Sequence, residues 1–405
     1  MIGDIILIVA AIGIALVTLN PRLLRSAMWR ATVTPLASII GSGFLVAGPI
    51  LGHAAGHWAF LGMAGLCAVS WVFGLAIREN IRRAEPMLAD NESNIVDWMD
   101  WAASLALAFA YFVSVAYYLD LLSAFALKGL GIVDADIGRI LTTAIIATLG
   151  VLGLFGGLRW LEHVELGSVG VKLALIGGII AALLWTDASH LAAGTLDLTK
   201  TANVDGFESV RILLGLVILV QGFETSRYLG DSYDRETRVR TMRNAQLIAF
   251  GIYIAFIGLL TPWLDGRLPP QGGETHIIEL LRPVGAFIPA FVIGAALMSQ
   301  LSAAVADMNG GSGLLHGAAP KRVPVGIAYV VCAVASIAIV WSTDIFGVIV
   351  WASKAFVLYY GIQAVTAITV EIVARDTTRW GRVALFTAAA LLAVAVLILG
   401  KSAEG

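Results

Sequence analysis

Along this chain, apolar runs long enough to span a bilayer follow one another with little between them. Twelve can be marked, near residues 3–19, 32–51, 57–77, 98–127, 137–157, 163–185, 208–230, 241–264, 280–306, 324–342, 345–372 and 380–400. A helix of roughly 20 apolar residues crosses the ~30 Å hydrocarbon core of a membrane. Only 13% of the sequence is charged, with 59% hydrophobic, against roughly 25% charged in a soluble domain. The fold class expected is therefore an all-α polytopic membrane protein with about twelve transmembrane helices. The connections are too short for a separate soluble domain, and the longest, Thr186 to Phe207, is expected to cap one face.

The loops set an orientation. Arg22, Arg25, Arg30, Arg78, Arg82, Arg83, Arg159, Arg235, Arg238, Arg240, Arg243, Lys321, Arg322, Arg375, Arg379 and Arg382 fall on one side, and Lys128, Arg139, Lys200, Arg211, Arg267, Arg282 and Lys401 on the other. The basic-rich side is cytoplasmic by the positive-inside rule, which places both termini outside a plasma membrane, the inner one in a bacterium. The first run, Ile5 to Leu19, follows Asp4 and precedes Arg22 and Arg25, the reverse of a cleavable signal, so it reads as a retained helix. A net charge of −2 gives no basic footprint for nucleic acid. Cys67 and Cys332 lie in apolar runs and suggest no disulfide framework.

Two runs carry residues that do not suit an intact helix. The first reads Ile39-Ile40-Gly41-Ser42-Gly43-Phe44-Leu45-Val46-Ala47-Gly48-Pro49. Glycines flanking a serine lower helix preference at one spot. Unwinding there would aim free N–H groups and the positive end of a helix dipole at the gap, which suits a carboxylate. The same glycines serve equally well as close-packing contacts between helices. The second is Leu219-Val220-Gln221-Gly222-Phe223-Glu224-Thr225-Ser226-Arg227. Five segments separate the two, and the second enters from the opposite side, as an inverted repeat requires.

At these residues the chain resembles the amino acid–polyamine–organocation (APC) transporter superfamily. Residues 39–49 resemble that family's first-helix motif, and QGFETSRYLGD (221–231), followed by RETRVRTMRN (235–244), resembles its sixth helix and the loop after it. GSVGVKLALIGGII (167–180) and VPVGIAYV (Val323 to Val330) are similar to its fifth helix and the start of its ninth. The resemblance covers roughly residues 32–400. It implies a five-plus-five, leucine-transporter-like inverted repeat: residues 32–186 and 187–374 as the two halves, with an extra helix in 1–31 and another in 375–405. Two positions depart from the pattern. Ile218 stands where many amino-acid members have an aromatic gate, and Gly311-Ser312-Gly313-Leu314-Leu315 replaces the usual Ser-Arg-Leu-Leu.

Lys172 lies about nine residues into its run, roughly 13 Å deep at 1.5 Å per residue, where ionisable groups are costly and functional. The resemblance puts it where relatives hold sodium, so a fixed ammonium would exclude Na⁺ and favour proton coupling or exchange. A structural lysine bonded to carbonyls of the broken helix is the alternative. Glu224 matches the family glutamate that couples the break to the cytoplasmic gate, by a hydrogen bond or by carrying a proton. Arg227, three residues on, is expected to neutralise it. Asp120 and Glu371 lie toward helix ends and read as interfacial, and Lys354 and Asp307 lie in spans without an assigned role. Tyr111, Tyr117 and Tyr118 sit on a helix that lines the site in the family, although most membrane tyrosines are packing or belt residues.

The function expected is secondary active transport of a small amino acid or related amine, by proton symport and alternating access. An exchanger, a transport-dead sensor and a channel are the alternatives. The amides at Gly41, Ser42 and Gly43 would hold the substrate carboxylate, carbonyls at Gln221, Gly222 and Phe223 its amine, with Ile40 and Tyr111 also at the substrate site. Lys172 and Glu224 would do the coupling. No cofactor and no metal are expected: His53 and His57 are four apart but lack a third ligand. No HExxH, GxSxG or GxGD pattern occurs, so catalysis is not expected. Partners are the substrate, protons and the bilayer, with a homodimer left open.

Overall fold

A computed structural model describes residues 2–41, 43–90, 93–156, 165–197, 199, 202, 204–230, 232–269, 271–373 and 379–403. Its first half contains α1 (Ile2–Thr18), α2 (Pro21–Leu24), α3 (Ala27–Gly41), α4 (Ala47–Ala55), α5 (Ala59–Ala89), α6 (Asn94–Gly129), α7 (Ala135–Gly156) and α8 (Glu165–Ala192). Its second half contains α9 (Gly206–Leu214), α10 (Arg235–Leu260), α11 (Ile277–Leu281), α12 (Ile288–Ala318), α13 (Val325–Val340), α14 (Ile345–Val373) and α15 (Trp380–Leu399). The described residues form helices, turns and extended loops and contain no strand.

Among the described residues, eight helices are long and apolar enough to cross a membrane, and they account for eight of the twelve expected segments. Two more, α1 and α13, are apolar but shorter. The remaining two, 32–51 and 208–230, are not continuous helices: α3 ends at Gly41 and α4 begins at Ala47, while α9 ends at Leu214 and two short 3₁₀ segments follow, on either side of Gln221 and Gly222. The segment expected to end near residue 77 instead runs to Ala89. Its charged extension is held by a buried network in which Arg83 meets Glu79 (2.9 Å) and Glu371 (3.2 Å), and Arg382 meets Glu79 (2.7 Å) and Glu371 (3.2 Å). Glu371 is fully buried there and joins α5, α14 and α15.

Helix starts follow from capping chemistry. The Asp205 carboxylate accepts from the Glu208 amide (2.8 Å) at the head of α9, and Asp234 from the Thr237 amide (3.0 Å) at the head of α10. Each satisfies a donor that the first turn leaves unpaired. Hydrogen bonds of the Asp234 carboxylate to Thr237 hold its pKa below the ordinary 3.8.

The centre of the bundle is α6, a helix of 36 residues. It packs most extensively on α12 and α14, and also on α7 and α13. Tyr117, Tyr118 and Phe125 on α6 are fully buried. The additional first helix is docked: the Asp4 carboxylate accepts from the Phe287 amide (3.1 Å), and Thr18 Oγ1 donates to the Gly170 carbonyl (3.1 Å) on α8. Outward faces remain apolar, as with Ile5, Val9 and Leu16 on α1 and Leu391, Val394 and Ile398 on α15. Apolar faces of this extent fit hydrocarbon as their solvent. The chain is a multi-pass membrane protein.

Candidate functional site

Both helix breaks are set by glycines in conformations that L-residues avoid. Between α3 and α4, Gly43 has φ +148°. A Cβ there would stand 2.2 Å from Leu219 Cδ2 and 2.7 Å from Tyr117 Oη, so only glycine fits. The Gly43 carbonyl accepts from the Val46 (3.1 Å) and Ala47 (3.0 Å) amides and restarts the chain as α4. Ser42 lies outside the described residues. In the second break, α9 passes into a 3₁₀ turn at Val217–Val220, and a second 3₁₀ segment runs from Phe223 to Tyr228. Gly222 between them has φ +114°.

The two breaks touch backbone to backbone. A Cβ on Gly222 would lie 2.6 Å from the Ile39 amide nitrogen and 2.6 Å from the Ser38 carbonyl carbon. Groups freed by unwinding cannot turn to water in a buried core and need protein partners. Tyr253 on α10 supplies one: its hydroxyl lies 2.9 Å from the Ile39 carbonyl and 2.6 Å from the Leu219 carbonyl, so a single side chain bridges both breaks. Ser353 Oγ donates to the Gly215 carbonyl (2.6 Å) and accepts from the Ile218 amide (3.0 Å). Ser70 Oγ donates to the Val220 carbonyl (2.9 Å), and the Ser70 carbonyl accepts from Gln246 Nε2 (3.0 Å), whose Oε1 is bonded by Arg78.

Glu224 is fully buried and caps its own break. Its Oε2 accepts from the Gly222 amide (2.9 Å) and from the Tyr360 hydroxyl (2.8 Å). The expected Glu224–Arg227 pair is not formed. Arg227 Nη2 instead bonds Asp100 Oδ1 at 2.5 Å, near the start of α6. The short glutamate turns back to an amide left free by the left-handed Gly222, while the longer arginine reaches to another helix. Next to them, Arg238 holds Glu85 through two bonds (2.9 and 2.6 Å) and donates to the Arg227 carbonyl (2.7 Å). The basic stretch after the second break is thereby tied to α5.

The other expected residues are placed as follows. Gln221 is buried and its Nε2 donates to Tyr118 Oη (2.6 Å). Phe223 stacks on Tyr360 (centroids 5.1 Å apart), which stacks in turn on Phe73 (5.1 Å). Tyr111 meets Phe356 edge-on (5.7 Å) and lies against Gly310 of α12. Ile40 lines a narrow cavity with Phe44, Leu45, Ser299, Gln300 and Ile176 of α8. Gly41 faces Ala303 and Ser299 of α12. Lys172, one turn before Ile176, is buried on a helix that packs against α1, α3, α10 and α12. His53 lies 3.2 Å from the Gly266 carbonyl, by Nδ1.

These contacts join Gly43, Gln221, Gly222, Phe223 and Glu224 into one core between α3, α6, α10 and α14. Sequence reasoning missed Tyr253, Ser353, Ser70 and Tyr360, which satisfy that core. A tyrosine hydroxyl deep in an apolar run needs a partner, and this was the available signal for Tyr253 and Tyr360.

Comparison with known proteins agrees with this architecture. Residues 21–400 match the model of a family of APC superfamily transporters. An uncharacterized protein of Aquifex aeolicus (strain VF5) is 37% identical over 408 residues, covering 99% of this chain and 98% of the relative. The chain belongs to the APC superfamily of transporters.

Proposed function

We propose that this transporter is a secondary active carrier of a small amino acid or related amine, working by proton symport and alternating access. Residues 32–186 and 187–374 act as inverted five-helix repeats that rock about the two breaks, with 1–31 and 375–405 as peripheral helices. The protein sits in the plasma membrane with both termini outside.

The observation that carries this reading is the contact of two broken helices, Gly222 against Ser38 and Ile39, at corresponding places in the two halves. Interrupted helices at a repeat interface are where transporters bind substrate. Amides at the Gly41–Gly43 break hold the carboxylate beside Ile40, and carbonyls at Gln221 to Phe223 hold the amine, with Tyr111 alongside. Lys172 occupies the ion position and couples to protons. Glu224, bonded to Gly222 and Tyr360, links the second break to the gate.

Lys172→Ala tests the coupling. Amides and carbonyls of the breaks remain, so binding should persist while accumulation against a gradient is lost. Binding and accumulation both at wild-type level would remove Lys172 from the mechanism and leave Glu224 as the coupling residue. Loss of both together, with a destabilised protein, would make Lys172 structural.

A further inference from the structure

Between Asp4 and Glu79 the chain has no aspartate or glutamate, yet it places Arg22, Arg25 and Arg30 within nine residues. All three are exposed, and among the described residues no carboxylate pairs with any of them. Elsewhere on the basic-rich side, Arg83, Arg227, Arg238 and Arg382 each meet a carboxylate. Like charges this close repel one another, and no acid in the surrounding sequence offsets them.

The corner that carries them is held by the fold. α1 lies along α8 on glycines: a Cβ on Gly178 would stand 2.7 Å from the Leu7 carbonyl oxygen, one on Gly177 2.2 Å from Ile14 Cδ1, and one on Gly170 2.5 Å from Leu19 Cδ2. This close approach fixes where α1 ends. Asn20 Oδ1 then accepts from the Arg22 amide (2.9 Å) and heads α2, with Pro21 at its first position. Ser26 Oγ accepts from the Trp29 amide (3.4 Å) at the start of α3. Arg22 and Arg25, three apart on this single turn, leave it on one side.

The setting is the edge of the hydrocarbon. Leu16 and Val17 at the end of α1 and Met28 at the start of α3 are exposed apolar side chains, which in a membrane protein face lipid. The arginines stand where that apolar face ends.

We propose that the corner between α1 and α3 binds the headgroup of an anionic phospholipid through Arg22, Arg25 and Arg30, whatever cargo the protein carries. A guanidinium offers a planar fork of donors that fits two phosphate oxygens. A headgroup of net negative charge complements the three cations, whereas a zwitterionic one brings an ammonium that they repel. The acyl chains run along Leu16 and Val17, an apolar contact that free phosphate lacks. Each arginine near an anionic surface strengthens binding about fivefold, so two of the three reaching one headgroup already favour an anionic lipid by more than about tenfold.

The test titrates dioleoylphosphatidylglycerol, dioleoylphosphatidylcholine or inorganic phosphate into the purified, full-length protein in an uncharged detergent and reads the thermal midpoint. Phosphatidylglycerol should raise the midpoint at concentrations at least about tenfold lower than phosphatidylcholine, and phosphate should leave it unchanged. Replacing the three arginines together, Arg22→Gln, Arg25→Gln and Arg30→Gln, should abolish the preference. The control removes equal charge from exposed bases elsewhere on the same side, Arg235→Gln, Lys321→Gln and Arg322→Gln, and should keep it. Equal responses to the two lipids in the unaltered protein overturn the proposal with no variant needed. So does a preference that survives the first triple, or one that the control loses as well, because net charge alone would then account for it. A midpoint raised as much by phosphate as by phosphatidylglycerol would make the ligand a soluble anion and overturn the assignment to lipid.

Discussion

Gly222→Ala is the smallest change that sets the two breaks against each other. The added methyl would lie 2.6 Å from two backbone atoms of α3, the Ile39 nitrogen and the Ser38 carbon, and 2.7 Å from Ser38 Oγ. Backbone cannot rotate aside as a side chain can, so the helices must part by most of an ångström. Overpacking of this kind costs about 1–3 kcal/mol, and positive φ adds about 1–2 kcal/mol for a residue with a Cβ. The smaller entropy of unfolded alanine returns about 0.4–1 kcal/mol. The net loss is then about 1–4.5 kcal/mol, or a fall of about 2–9 °C at roughly 2 °C per kcal/mol for a long chain. The matched control is Gly251→Ala, in the interior of α10, where a Cβ meets nothing within 4 Å. It should gain about 0.8–1 kcal/mol from helix propensity. Unfolding in detergent can be followed with a thiol-reactive dye, because Cys67 and Cys332 are free and buried. The two variants should move in opposite directions. Gly222→Ala at or above the unaltered midpoint would refute the close approach of the two breaks.

Two further outcomes follow from the same contacts. Tyr253→Phe removes the hydroxyl that lies against the Ile39 and Leu219 carbonyls and should cost about 0.5–1.5 kcal/mol, with faster amide exchange at residues 39–41 and 218–222; unchanged exchange there would mean that Tyr253 does not bridge the breaks. Asp100→Ala leaves the Arg227 guanidinium buried and unpaired, and should cost about 2–3 kcal/mol, below the 3–5 of a fully buried pair because Asp100 is 35% exposed. Glu224→Gln should leave Arg227 undisturbed, and a thermal midpoint that falls equally in both variants would restore the Glu224–Arg227 pair.

The breaks were legible because glycine and polar residues inside an apolar run contradict the local preference for helix. Gly41, Gly43 and Gly222 could be named for that reason alone. What satisfies the breaks was not legible. Ser70, Tyr253 and Ser353 come from three other helices, and their role depends on packing that no local pattern encodes. Arg227 illustrates the limit. Spacing on one face favoured Glu224, yet the conformation of Gly222 turned that carboxylate back to an amide and left Arg227 to a partner 127 residues away. Glu371 gave no local sign of its partners: Arg83 is 288 residues away on α5, and Arg382 belongs to the next helix.

Coupling is tested most directly by uptake into proteoliposomes containing the purified protein. A radiolabelled amino acid or amine that raises the thermal midpoint of the purified protein would be supplied under an inward pH gradient, then under an inward Na⁺ gradient at equal pH. On the role proposed for Lys172, accumulation should follow the pH gradient, collapse with a protonophore and be indifferent to sodium. Accumulation that follows Na⁺ alone would contradict both proton symport and the role given to Lys172.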